Sequence, residues 1–323
     1  MKAAILEKYG PADSIEIRDM PTPVPAENEL LIKVRASGVS RAHTMMRAGT
    51  PYLARFAVGY PRPKRKILGT GFSGIVIEKG KNVTKFEIND EVFGDTALEF
   101  SANAEFLTIS EDGLVLKKPH NLSHAEASTW GDGALTAYSF LFSVIKLQPK
   151  DTILINGASG AIGTCAVQFA SAIGAKVTAV CSEKNFKLVK SLGAQQVIDY
   201  KSTDITSTDQ KFAYIFDTIG NIPFSKAAKI LSHQGVYLSP KLSLSLLWHM
   251  IKSKIFSGKK ALFSATGMKA AAVNRKIMSE MIDMVTKHDI HQVVDSTYNL
   301  EDIPKLHKFI EEGHKKGNIA LTI

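Results

Sequence analysis

In the segment ENELLIKVRASGV, Leu30, Ile32 and Val34 fall on one face of an extended chain, and this period of two predicts a strand over Glu29–Ala36. Similar apolar or alternating runs predict strands at Met1–Leu6, Ser14–Arg18 and Gly71–Lys79. Gly10-Pro11, the prolines at 21, 23 and 25, and the Pro61–Pro63 stretch punctuate the gaps. The first 120 residues or so therefore read as a mainly β domain.

After residue 121 the pattern changes. Ser123 with Glu126 three places on forms a capping-box signature, and HAEASTWGDGALTAYSFLFSVIKL reads as helical. From Asp151 onward, strand, Gly-rich turn and helix repeat. The strands are TILIN (152–156), AKVTAVC (175–181), QQVID (195–199), a run inside KFAYIFDTIG (211–220) and GVYLSP (235–240); helices precede Gly174 and span Asn185–Leu192. Such alternation predicts a parallel, doubly wound sheet. Beyond residue 262 come a helix (Ala271–His288), a strand-like DSTYNL, a helix (Ile303–Glu312) and a closing strand NIALTI. The expected class is α/β with two domains: residues 1–122, completed by 263–323, and residues 123–262.

The chain has 323 residues, a length that suits two cores. No apolar run reaches a membrane span. The longest candidate, within Leu242–Lys260, is interrupted by Lys252 and Lys254, and its reading stays open between a pocket or subunit-contact helix and an interfacial helix. The N-terminus lacks the apolar core of a secretory signal. Two cysteines, Cys165 and Cys181, make neither a disulfide framework nor a four-cysteine zinc lobe, so a reducing, cytoplasmic setting is expected. The net charge of +9 is spread along the chain apart from Arg62, Lys64, Arg65 and Lys66. It reads as solvated surface plus phosphate recognition rather than a nucleic-acid site.

The sharpest chemical signal is NGASGAIG, residues 156–163. It follows a strand, opens a helix and spaces Gly157, Gly160 and Gly163 three apart. Glycine permits the turn and lets backbone N–H groups reach a pyrophosphate, while the helix N-terminus supplies orphan donors. Ala158, Ser159, Gly160, Ala161, Ile162 and Gly163 are the expected contacts. The next strand ends Ala179-Val180-Cys181-Ser182, with no acid at its tip to bind a ribose hydroxyl pair. Glu183 lies twenty positions after Gly163, so spacing alone leaves NAD open. Ser182, Lys184 and Lys187, with Tyr200 after the third strand, offer donors for a 2′-phosphate, and NADPH is the favoured cofactor. No metal ligands are grouped in the sequence.

At this point the residues resemble a known family, the medium-chain dehydrogenase/reductase superfamily in its zinc-free quinone oxidoreductase branch. The stretches are KVRASGVSRAHTMMRAG (33–49), ILGTGFSGIVIEKGKNVTKFEINDEVFG (67–94), GALTAYSFL (133–141), NGASGAIG, VKSLGAQQVIDYK (189–201), FDTIG (216–220) and FIEEGHKKGNIALTI (309–323). The resemblance implies a GroES-like catalytic domain, a Rossmann cofactor domain inserted in it, and a homodimer. Zinc-dependent members carry Cys after the early Gly-Val and a Gly-His-Glu before the next glycine; here those places hold Ser40 and Gly69-Thr70-Gly71.

The family further implies that Thr136 and Asn318 lie near the nicotinamide. Thr218 and Ile219 would cover the cofactor, with Leu238 and Ser239 following the fifth strand, and the 2′-phosphate would meet Ser182, Lys184 and Tyr200. Quinone reductases often carry Asn, Pro and an acid where this chain has Ser40, Arg41 and His43, so the acceptor pocket is altered. Ser40, His43 and Tyr52 are the expected substrate-pocket residues. The expected function is zinc-independent, NADPH-dependent reduction of a small carbonyl, enone or quinone. The rival is a cofactor-binding regulatory or nucleic-acid-binding protein on the same fold.

Overall fold

The computed structural model describes residues 1–255, 258–266, 269–313 and 315–323. The chain forms two compact units, Met1–Gly133 with Gly267–Ile323, and Ala134–Thr266.

The first unit begins with a two-stranded antiparallel pair, β1 (Lys2–Leu6) and β2 (Ile15–Asp19). Then come β3 (Glu29–Val39), β4 (Gly71–Lys79), β5 (Glu91–Asp95), β6 (Phe106–Ser110) and β7 (Leu114–Lys117). Leu30, Ile32 and Val34 are all buried, and they pack with Phe72, Val76 and Leu107. The period of two thus placed the inner face of β3 correctly. β3 runs three residues past its expected end because Ala36 to Val39 pair with the C-terminal strand. Helices α1 (Arg41–Ala48), α2 (Arg55–Val58) and α3 (His124–Ala127) complete this part.

The second unit opens with α4 (Leu135–Tyr138) and then alternates. Its elements are β8 (Thr152–Asn156), α5 (Ala161–Ala172), β9 (Lys176–Cys181), α6 (Phe186–Ser191), β10 (Gln196–Asp199), β11 (Phe212–Asp217), α7 (Phe224–Ile230), β12 (Leu231–Ser239), α8 (Leu244–Ile255) and β13 (Lys260–Phe263). The sheet order is β10-β9-β8-β11-β12-β13, with every pairing parallel. Chain order therefore reverses between β8 and β11, and the carboxyl ends of those two strands form the crevice where doubly wound sheets bind ligands. β13 was not expected; its four residues, KALF, are too short to show a period.

The chain returns to the first unit through α9 (Ala271–His288), β14 (Val294–Asn299), α10 (Ile303–Glu312) and β15 (Asn318–Thr322). β15 inserts between β14 and β3, giving the order β14-β15-β3-β4-β5-β7 with β6 also on β3. The closing strand is thus part of the first unit's sheet. The unit boundary falls at residue 134, later than the 123 expected. α3 packs on β3, β4 and β15, and His124 Nδ1 lies 2.8 Å from Ser73 Oγ on β4, so the start of the helical run belongs to the first unit. That run is also not one helix: wider π-type turns occupy Trp130–Ala134 and Ser139–Val144.

Candidate functional site

The second unit's crevice is built from β8 and the turn that follows it. Gly157 has φ +76°, a left-handed conformation that disfavours any Cβ. A Cβ on Gly163 would lie 2.2 Å from the Gly157 carbonyl, so helix and turn are packed too closely for another residue. Gly160 differs: a Cβ there would meet nothing nearer than 3.4 Å. It caps α5 without a side-chain hydrogen bond, so the first-turn N–H groups of Ala161, Ile162 and Gly163 keep their donor capacity for a ligand.

Buried polar groups hold this turn in place. Asn156 Nδ2 donates to Asp217 Oδ1 and to Asn221 Oδ1, each at 2.8 Å. Fully buried Asp217 also accepts from the N–H groups of Gly220 (2.9 Å) and Ile222 (2.8 Å) and from Tyr237 OH (2.8 Å). Thr218 Oγ1 donates to the Asn156 carbonyl at 2.7 Å. These bonds clamp the ends of β8 and β11 together. Beyond β9, Asn185 Nδ2 donates to Ser159 Oγ at 2.9 Å and to Ser182 Oγ at 3.4 Å, while its own buried Oδ1 has no partner. Lys184 is exposed beside this pair, and Tyr200 is exposed after β10. The donor set fits an anionic dinucleotide: a pyrophosphate at the α5 N-terminus and hydroxyl and ammonium groups past β9.

The first unit carries a small recess, about 10 Å³ in volume, lined by Ser40, His43, Ser128, Thr129, Asp132 and Asn318, with backbone from Gly38 and Gly71. Ser40 caps α1, and its N–H donates to His43 Nδ1 at 3.1 Å. A backbone N–H can only donate, so Nδ1 is the acceptor and the ring proton sits on Nε2. Nε2 in turn faces Thr70 Oγ1 at 3.1 Å, and Thr70 Oγ1 donates to Asp95 Oδ2 at 2.8 Å. Asp95 Oδ1 accepts the Ala97 N–H at 2.7 Å.

Burial holds the His43 pKa below its ordinary value, opposed by the charge of Asp132. Burial pushes Asp95 up to about 7, against the hydrogen bonds from Thr70 and Ala97. No hydrogen bond of ordinary geometry engages Ser40 Oγ, although it is shielded from solvent.

A model of the alcohol dehydrogenase GroES-like domain matches residues 26–140, and a zinc-binding dehydrogenase model matches residues 192–321. The chloroplast envelope quinone oxidoreductase homolog of Arabidopsis thaliana is 29% identical over 324 residues, covering 97% of this chain and 95% of its own. A mitochondrial NAD(P)H oxidoreductase of Bos taurus is 28% identical over 357 residues, covering 100% and 89%. The solved quinone oxidoreductase from Coxiella burnetii superposes with a TM-score of 0.88 at 25% identity over 100% of this chain and 99% of that one. The chain belongs to the medium-chain dehydrogenase/reductase superfamily, in its quinone oxidoreductase-like branch.

Within this superfamily, positions 40 and 70 matter because zinc-dependent members place Cys and His there. Here His43 spans the two places through its ring nitrogens, joining the Ser40 backbone to the Thr70 hydroxyl. Among the described residues, no group of three His, Cys, Asp or Glu side chains is placed to hold a metal ion. The two relatives carry chloroplast and mitochondrial names, so membership of the branch does not fix the cytoplasmic setting expected for this chain.

The structure brings Ser40, His43 and Asn318 to one recess. Asn318 is held by its Nδ2 donating to Gln292 Oε1 at 2.7 Å. Tyr52 does not line this recess; it is 72% exposed, with the Arg55 guanidinium 4.5 Å from its ring centroid. Ser159, Gly160, Ser182 and Thr218 gather at the carboxyl ends of the second unit's strands, and Ile219 there is half exposed. Thr136 is half-buried on α4. Leu238 is fully buried in β12, which leaves only its backbone for a ligand, and Ser239 Oγ accepts the Lys241 N–H at 3.2 Å. Sequence reasoning did not name Thr70, Asp95, Asp132 or Asp217 as site residues. Thr70 lay in the Gly69-Thr70-Gly71 departure and Asp217 in FDTIG, but nothing in the sequence linked Thr70 to Asp95, twenty-five positions away.

Proposed function

We propose that this protein is a zinc-independent reductase that uses NADPH to reduce a small carbonyl, enone or quinone. The observation that carries the reading is the β8–α5 turn at the reversal of strand order, with open ground over Gly160 and uncapped N–H groups behind it. The hydroxyls of Ser159 and Ser182, held by Asn185, together with Lys184 and Tyr200, support NADPH over NADH, since β9 itself ends Val180-Cys181-Ser182 without an acid; Asp199 lies level with Cys181 on β10, and Glu183 follows Ser182.

When bound, the nicotinamide supplies the hydride. The chain's own residues then have distinct tasks. Backbone N–H groups at α5 hold the pyrophosphate, and Thr218 and Ile219 shape the crevice. In the first unit, the Ser40 hydroxyl, whose oxygen faces the His43 N–H in the capping box of α1, donates a hydrogen bond to the acceptor oxygen, which gains negative charge as its carbon is reduced. His43 is a positioning residue: neutral and pinned at both nitrogens, it fixes Ser40. The proton that completes the reduction comes from solvent water, which is left as hydroxide; where it passes through the Ser40 hydroxyl, that hydroxyl takes a proton back from the same water. Neither Ser40 nor Thr70 is a strong metal ligand, which supports chemistry without a zinc Lewis acid.

The branch membership supports a small-molecule acceptor, and the relatives named as quinone oxidoreductases favour a quinone or enone within that class. A screen of quinones, enones and aldehydes for NADPH oxidation tests the reading. Turnover of at least one class with NADPH is expected, and turnover of none would remove the reductase assignment.

A further inference from the structure

α8 is apolar on both sides. Its inner face seats Leu246, 5% exposed, in the second unit's core and sets His249 on Phe224, with ring centroids 4.8 Å apart. Its outer face carries Leu244 (88% exposed), Leu247 (42%), Trp248 (65%) and Ile251 (52%). These four lie at i, i+3, i+4 and i+7, so they form one stripe on the helix surface. An exposed apolar stripe of this size is normally covered.

The surrounding charge decides what covers it. From Thr218 to Thr266 the chain has seven lysines, at 226, 229, 241, 252, 254, 259 and 260, and no Asp or Glu. Lys226, Lys229, Lys241, Lys252 and Lys260 are exposed. Asp204 faces Lys226 and Lys229, but α8 itself carries no acid, so a second copy docked about a two-fold axis through α8 would set Lys252 near its own copy with no carboxylate on either helix to pair it. A nucleic acid would match the charge but would leave Leu244, Leu247 and Ile251 without an apolar partner. An anionic bilayer surface satisfies both features: acyl chains take the stripe, and headgroups take the lysines.

We propose that α8 is a monotopic membrane contact, lying in the plane of a bilayer that contains acidic lipids. No helix of the described residues is long and apolar enough to cross a membrane, and α8 has twelve residues, so it lies on the surface and does not span it. This inference is independent of the reductase reading, because the stripe, Lys252 and Lys260 are not among the residues assigned to the nucleotide crevice or to the recess; Lys241, which packs on Gly220 and donates to Ser239, borders the crevice and is left unchanged in the test.

The test is flotation of the full chain with phosphatidylcholine vesicles, with and without phosphatidylserine, read alongside tryptophan fluorescence. The protein has two tryptophans, and Trp130 is fully buried, so a change in emission reports on Trp248. Flotation and a blue shift are expected with phosphatidylserine vesicles only, and both should fade as salt is raised. Leu244→Ser with Trp248→Ser should abolish flotation while leaving the circular-dichroism melting curve near that of wild type, since both side chains point to solvent. Lys252→Glu with Lys260→Glu should lower partitioning by at least roughly fivefold for each lysine changed.

Four results would overturn the proposal. One is absence of flotation with acidic vesicles. Another is flotation unaffected by both variant pairs. The third is a stable dimer in sedimentation that Trp248→Ser converts to monomer, which would assign the stripe to a second copy. Duplex DNA that shifts Trp248 emission as strongly as the vesicles do would also contradict it.

Discussion

His43 Nε2 lies 3.1 Å from Thr70 Oγ1, and through that hydroxyl the imidazole is tied to the buried carboxylate of Asp95. Asp95 titrates near 7. The acceptor oxygen gains negative charge during reduction, so a neutral Asp95 favours the reaction and an ionised one opposes it. The NADPH-dependent rate should fall as pH rises through about 7, and Asp95→Asn should flatten that limb. Thr70→Val should release the ring and lower kcat by about tenfold, with little change in KM. A pH–rate profile of the Asn variant that retains the wild-type inflection would contradict the assignment.

His307 sits fully buried on α10, and neither ring nitrogen has a hydrogen-bond partner. Burial, with added repulsion from His43 and Arg47, lowers its pKa to about 3. The unfolded ring binds a proton below about 6.5 that the folded ring refuses until about 3. Stability should therefore fall as pH drops through this window, by up to about 1.4 kcal/mol per pH unit from this one group. Asp95 works in the opposite sense. Its raised pKa gives stability that is complete below about 3.8 and lost as pH rises through about 7. Urea unfolding at pH 7 and pH 5 separates the two effects. His307→Leu should lose the acid-side decline, and Asp95→Asn should lose the opposing gain.

Gly160 and Gly163 should fail in different ways. Gly163→Ala drives a Cβ to 2.2 Å from the Gly157 carbonyl, and it should destabilise the second unit by more than about 2 kcal/mol. Gly160→Ala meets no close atom and should leave the melting temperature within a few degrees of wild type. It should still weaken NADPH binding by about tenfold or more, because the added methyl occupies the ground where the pyrophosphate approaches. Thermal melts paired with nucleotide titration check both. A Gly160→Ala protein that binds NADPH like wild type would show that the pyrophosphate does not lie on this turn.

Much of the fold was legible because its signals are local. The period of two in β3, the strand–glycine–helix spacing at 152–163 and the helices Ala271–His288 and Ile303–Glu312 each rest on nearest neighbours along the chain. β13 was not legible, since KALF joins the sheet only by pairing with β12. The break-up of the 124–147 run was not legible either; α3 stays with the first unit through contacts to strands more than forty residues away in sequence. The site divides the same way. Ser40 and His43 share one turn of chain, and Gly157–Gly163 share another, so the nearness of each set follows from the chain itself. Thr70, Asp95 and Asp132 meet His43 only in three dimensions, and no pattern in a single sequence encodes that meeting.

The central claim is that the crevice at the ends of β8 and β11 holds NADPH, with Lys184 and Tyr200 gripping its 2′-phosphate. Calorimetric titration of the full chain with NADPH and then NADH tests it most directly. NADPH should bind saturably at one site per chain and at least about tenfold more tightly than NADH, and Lys184→Ala with Tyr200→Phe should erase that preference while NADH binding stays unchanged. Equal affinity for the two nucleotides would contradict the phosphate grip, and no heat from either would contradict the crevice itself.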